Sequence, residues 1–265
     1  TLGSIVSPST RCGATGLRPT FGRVSRHGCM ALAWTMDKIG PLCRSVEDCA
    51  LVLGAIHGAD GLDPTAVNQP FSWPAKKPLK ELKVGHTGSA DRPELKVLKS
   101  LGVMLVPIKL PQQTAGTIVS TILDAEAGAA FDTLIRAGKL DKIGLLWPAT
   151  FRSAQFVTAV DYIRANRIRT QLMHEMSKVM ETVDLYVGGN DLTIANLTGH
   201  PTVCLPNGFS KRGDVDVPTA LTFTGRLYGE EELLAVATAY QEATGHHLKR
   251  PPQDKWVADG TGGGK

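Results

Sequence analysis

Long apolar runs, paired cysteines and basic stripes are all missing from this 265-residue chain. No hydrophobic stretch approaches the roughly 18–20 residues of a bilayer span, which excludes an obvious membrane-spanning helix. No Lys/Arg run exceeds two residues, and a net charge of +4 with a pI near 8.8 is only mildly basic, so nucleic-acid binding is not expected. The five cysteines (Cys12, Cys29, Cys43, Cys49, Cys204) contain no C-x-x-C pair and no zinc-ligand spacing with histidine. They read as reduced, buried thiols in a cytoplasmic setting, with no metal. No repeat of 20–50 residues is visible, and the opening residues lack a secretory-leader pattern. The chain begins at Thr1 rather than Met, inside a Gly/Ser segment, and reads as part of something longer.

Hydrophobic residues at 42% and charged residues at 20% suit a packed globular fold rather than disorder. One α/β domain over residues 1–265 is expected, with residues 249–265 as a loose, Gly-rich tail. Residues 1–30, rich in Gly, Ser, Pro and Arg, read as turns and short extended pieces. Ser45-Val-Glu-Asp48 is a capping box opening a mostly apolar, buried helix through Ile56. A proline-dense loop (Pro64, Pro70, Pro74, Pro78) follows. Strand, helix and strand are predicted at Leu82–Gly85, Pro93–Leu101 and Val103–Ile108. Long helical stretches cover Ala115–Ala137 and Ser153–Thr182. In the second, Phe156, Val160, Ile163, Leu172, Met176 and Val179 recur at helical spacing, and Met173 and Met176 read as core filler. Buried strands are predicted at Val183–Val187, Thr202–Leu205 and Thr219–Phe223, and an acid-started helix at Glu230–Ala243.

A serine after a small glycine turn, as in Thr1-Leu-Gly-Ser4, can expose its hydroxyl while backbone N–H groups converge on a developing oxyanion. Alone this is a weak signal. The next stretch, Arg11-Cys-Gly-Ala-Thr-Gly-Leu-Arg-Pro-Thr-Phe-Gly-Arg-Val-Ser25, resembles the run that follows the nucleophile in the amidase-signature family. Cys12, Gly13, Gly16, Leu17, Pro19, Thr20, Gly22, Arg23 and Ser25 fall in place, with Arg18 where that family usually has lysine. Asp37-Lys-Ile-Gly-Pro41, Arg44-Ser-Val-Glu-Asp48 and Asp60-Gly-Leu-Asp-Pro64 follow in the same order, and Asn196-Leu-Thr-Gly-His-Pro201 and Leu205-Pro-Asn-Gly208 continue the agreement near the end.

The resemblance implies an α/β fold with a mixed sheet covered by helices, its N-terminal part missing here. It implies a serine hydrolase acting on amide bonds, or an amidotransferase-type acyl transfer, through an acyl-enzyme on Ser4. The backbone N–H groups of Thr1, Leu2, Gly3 and Ser4 map onto the oxyanion hole. The activating serine and lysine of the family lie upstream; this chain holds no Ser-Ser dipeptide, so by itself it is expected to be nearly inert. No cofactor is implied. The partners implied are a small-molecule amide substrate and the N-terminal half of the same enzyme, with a homodimer or amidotransferase subunits left open. A non-catalytic binding module, or one part of a split assembly, is the alternative, because Leu2 stands for the usual glycine and Val6 for the usual arginine. The insert between the strand near Leu82 and the helix before Val103 is short for the family. Lys38, His27, His200 and Cys12 lie in matched blocks but outside the family's reacting set and are expected to be structural, Cys12 as a packed small hydrophobe. The same holds for Glu126, Glu175 and Glu181, expected to be solvated or paired. The Ser4 pocket is expected to be lined near Thr20–Arg23 and Asn196–Pro201.

Overall fold

A computed structural model describes residues 3–111, 115–140, 147–188 and 192–250. The tail expected to be loose therefore lies almost wholly outside the described residues. Seven strands make one mixed sheet: β1 (Thr15–Arg18), β2 (Leu42–Cys43), β3 (Lys83–His86), β4 (Met104–Pro107), β5 (Leu185–Gly188), β6 (Thr202–Arg212) and β7 (Val215–Gly225). Their order is β2-β1-β6-β7-β5-β3-β4. β3 runs parallel to both β4 and β5, and the other pairings are antiparallel. The mixed α/β architecture is the expected one.

Helices cover both faces, and strand alternation divides their cores. Leu185 and Val187 point to one side, where α2 (Val46–Ile56), α3 (Pro93–Ser100) and α9 (Glu230–Thr244) pack Cys49, Leu53, Leu95, Leu98, Leu233 and Leu234. Tyr186 points to the other, against α4 (Ala115–Ala130), α7 (Ala159–Met180) and α8 (Leu192–Thr198), which supply Ile118, Val119, Ile122, Leu172, Met176 and Leu197. Two short helices, α5 (Asp132–Arg136) and α6 (Trp147–Ala154), flank α4.

The capping box forms as read: Asp48 N–H donates to Ser45 Oγ at 3.0 Å and Ser45 N–H to Asp48 Oδ2 at 3.2 Å. Several boundaries differ from expectation. Residues Val6–Cys12 form a helix, α1, where only turns and extended pieces were expected; Pro8 sits in its first turn, where a missing N–H leaves no bond unmade. Both long helical stretches break, the first at Phe131 and the second before Thr158, whose Oγ1 caps α7 through the Asp161 N–H at 3.1 Å. α2 is buried on one side only, since Leu51 and Ile56 are exposed. The stripe on the second stretch is also split: Leu172 and Met176 are buried, whereas Phe156, Val160, Ile163 and Met173 are exposed. Cys12, at the end of α1, is exposed rather than packed.

Two glycines fix where the N-terminal segment lies. A methyl group on Gly16 of β1 would meet Ser9 Oγ at 2.0 Å, so α1 can rest on β1 only because that position is bare. A methyl on Gly40 would stand 2.1 Å from the Leu17 carbonyl oxygen, so the Asp37–Pro41 segment can lie against the same strand. There Leu17 N–H donates to Pro41 O at 3.0 Å.

Candidate active site

Ser4 sits in the turn that leads into α1. Its neighbours Ile5 and Val6 are buried and anchor the turn, while Ser4 itself is exposed. Ser7 N–H closes the turn on Gly3 O at 2.7 Å, and Ser9 Oγ donates to Ile5 O at 2.8 Å. Val6 thus braces the turn by burial, where an arginine would brace it by charge. Of the four residues expected to form an oxyanion hole, Gly3 and Ser4 are described, and Thr1 and Leu2 lie outside the described residues.

Ser4 lines a cavity of 440 Å³ together with residues 26–27, 29–32, 34, 37–39 and 62–64. The expected lining is therefore corrected. Thr20–Arg23 and Asn196–Pro201 lie behind this wall, tied to each other by Phe21 N–H to Gly199 O at 3.0 Å and to the wall by Lys38.

The wall is held by charge pairing. Arg26 Nε lies 2.9 Å from Asp63 Oδ2, and its other nitrogens donate to Thr65 Oγ1 at 2.6 Å and to the carbonyls of Trp34 and Asp37. That hydrogen bond from Arg26 holds the Asp63 carboxyl well below the usual carboxylate range. Asp60 is drawn to about 2, first by the Ser25 hydroxyl at 2.5 Å and then by the Leu62 and Asp63 amides. Asp37 Oδ2 accepts from Leu32 N–H at 2.8 Å and Ala33 N–H at 2.9 Å.

Lys38 Nζ meets three acceptors: Met36 O at 2.7 Å, Asn196 Oδ1 at 2.8 Å and Asn196 O at 3.2 Å. Burial, and then the nearby Arg18 and Arg169 charges, push its pKa well below that of an ordinary lysine. The three acceptors oppose that push, because they use all three hydrogens of an ammonium and leave no lone pair to take a proton. Lys38 thus lines the Ser4 cavity with its nitrogen committed to three uncharged oxygens, neither at the surface nor in an ion pair with a carboxylate.

Behind the wall, Glu126 of α4 accepts from Thr35 Oγ1 at 2.7 Å, Thr35 N–H at 3.1 Å and Tyr162 OH at 2.8 Å. Arg169 of α7 donates to Thr35 O at 2.8 Å, Thr35 Oγ1 at 2.8 Å and Leu197 O at 2.6 Å. The Thr35 peptide is thus gripped from two helices. Glu126 is paired, as expected, but its hold on the wall through Thr35 was not legible; neither were the contributions of Met30, Trp34, Leu62 and Arg26. A second cavity, of 660 Å³, shares Arg26, Trp34, Asp63 and Pro64 with the first, so Trp34 stands between two spaces.

His200 is buried, with Nδ1 2.8 Å from Thr198 Oγ1, and burial followed by the Lys38 charge pushes it down to about 4. It is away from the lining beside Ser4, whereas His27 stands exposed at that cavity's rim. No cluster of three metal-ligating side chains occurs among the described residues.

The family model for Amidase matches residues 1–189. The chain belongs to the amidase family. The glutamyl-tRNA(Gln) amidotransferase A-subunit of Oceanobacillus iheyensis is 29% identical over 313 residues, covering 95% of this chain and 64% of the relative. Its counterpart in Synechococcus elongatus is 31% identical over 311 residues, with 95% and 64% covered. Among solved structures, the native peptide amidase from Stenotrophomonas maltophilia matches with a TM-score of 0.77 and 26% identity, over 94% of this chain and 62% of that one. The chain thus spans slightly less than two thirds of the proteins it matches.

Proposed function

We propose that this chain carries the nucleophile of an amide-bond hydrolase or an amidotransferase-type acyl-transfer enzyme, with Ser4 as acyl acceptor. The observation that carries this reading is an exposed serine on a turn anchored by Ile5 and Val6, opening on a 440 Å³ cavity, at the position the family blocks assign to the nucleophile. Ser4 Oγ attacks the amide carbonyl and gives up its proton to a base. The oxyanion is held by backbone N–H groups of Thr1, Leu2, Gly3 and Ser4. The amine leaves with a proton, and water or ammonia then takes the acyl group.

Lys38 is filled by acceptors, so the base is proposed to be the family's lysine acting through its second serine, both supplied from outside these 265 residues. That assistance is worth roughly 10²–10⁴-fold, and its absence leaves the chain alone nearly inert. A small amide is the proposed substrate, the N-terminal half of the enzyme the proposed partner, and the cytoplasm the proposed setting. A second reading, an amidase-like binding module, is favoured by Leu2 in place of glycine.

A fluorophosphonate probe separates the two. Once the upstream segment is added back in cis or in trans, strong labelling that Ser4→Ala abolishes is expected. A folded, reconstituted protein that neither labels nor turns over an amide would leave the binding module, with Leu2→Gly as the next variant.

A further inference from the structure

We infer that the cavity beside Ser4 takes the acyl part of an uncharged, apolar amide, alkyl or aryl, and discriminates against acyl groups bearing a carboxylate or an ammonium. This rests on Ser4 being the acyl acceptor. The wall carries two basic side chains, Arg26 and Lys38, and two carboxylates, Asp37 and Asp63. Each is already engaged. Arg26 is bonded to Asp63, to Thr65 and to backbone carbonyls, Asp37 accepts from two amides, and Lys38 Nζ meets three oxygens. A charged acyl group would have to break one of these pairs or lose its hydration without a partner, and either is costly.

Beside Ser4 and His27 at the rim, the side chains that reach the open space are large and apolar. Met30 is 83% exposed, Leu62 60% and Trp34 47%, and the three come from separate turns that meet around one cavity. Large apolar side chains left uncovered together around a concavity mark a binding surface. Trp34 also faces the second cavity, where Phe21 and Met173 continue the apolar surface, which leaves room for a longer chain.

Binding to the whole chain reads this independently of turnover. Hexanamide and phenylacetamide are titrated against succinamate and glutamine, followed by ligand-observed NMR. The two apolar amides are expected to bind at least about tenfold more tightly than the two charged ones. Met30→Ser and Leu62→Ser, both at exposed positions, should each weaken apolar binding about threefold without moving the thermal midpoint. Succinamate or glutamine binding as tightly as hexanamide, no change in either serine variant, or no saturable binding by either class would overturn the inference. Failure of the acyl-acceptor reading has a different signature: Ser4 stays unlabelled after reconstitution while the apolar preference persists.

Discussion

Buried polar side chains serve different ends on the two sides of the sheet. On the side of α2, α3 and α9 they tie helix α9 to the segments packed against it. Gln241 accepts the Val46 N–H at 2.8 Å and donates to Thr15 Oγ1 at 2.9 Å, tying α9 to the start of α2 and to β1. Glu230 accepts the Thr20 N–H at 2.8 Å and lies 3.7 Å from Arg23 Nε. On the side of α4, α7 and α8, Glu126, itself held by Tyr162, and Arg169 converge on a loop residue, Thr35, and that loop forms part of the wall of the Ser4 cavity. Damage on the first side should therefore show as lost stability, and damage on the second as a loosened site.

The largest effect is expected from Leu233→Ala, which empties a fully buried position on the first side. Its cost should be about 2–5 kcal/mol in urea unfolding. Fluorescence and circular dichroism should report the same single transition if the chain folds as one unit; two separated transitions would show that the sides unfold apart. The next effect is pH-dependent. Burial holds folded His200 at about 4, against 6.5 when free, so between those values the unfolded chain binds a proton that the folded chain does not. Stability should fall as pH drops from 6.5 toward 4, this group contributing at most about 3 kcal/mol. Urea midpoints across this range should show the step, and His200→Gln should flatten it. The smallest global effect is expected from Glu126→Gln, about 1 kcal/mol. Hydrogen exchange at the Thr35 amide should nevertheless speed up at least about tenfold, because its carboxylate acceptor becomes an amide. A global loss as large as that of Leu233→Ala would erase the distinction between the two sides.

Legibility followed the range of the interaction. The Ser45 cap, the Pro93 helix and the acid-started α9 rest on contacts within one turn, and each was readable from a few adjacent residues. The Ser4 turn was readable from ordered blocks, most of which shape the backbone around it. α1 was hidden by Ser and Pro, residues that favour turns until a strand lies beneath them, as β1 does through Gly16. Periodicity found the second long helical stretch but could not say that its first turns face outward, since the spacing is the same on either side of a helix. The cavity wall depends on Arg26 meeting Asp63 and Thr35 meeting Glu126, 37 and 91 residues apart, and neither pairing leaves a local mark.

One pairing in the sheet has a consequence for how the chain is made. Leu17 of β1 lies opposite Val203 of β6, and β1 bridges β6 to the outermost strand, β2. A ribosome adding about 5–20 residues per second takes roughly 10–40 seconds to travel the ~190 residues from one partner to the other. Through that interval β1 has only the two-residue β2 to pair with, so β1 and the apolar side chains of α1 are a segment a chaperone would find exposed. β6 and β7, joined by a tight connection, can pair as soon as both emerge. The Ser4 turn, which leads into α1, is then set in place only after β6 and β7, on which α1 packs, have emerged.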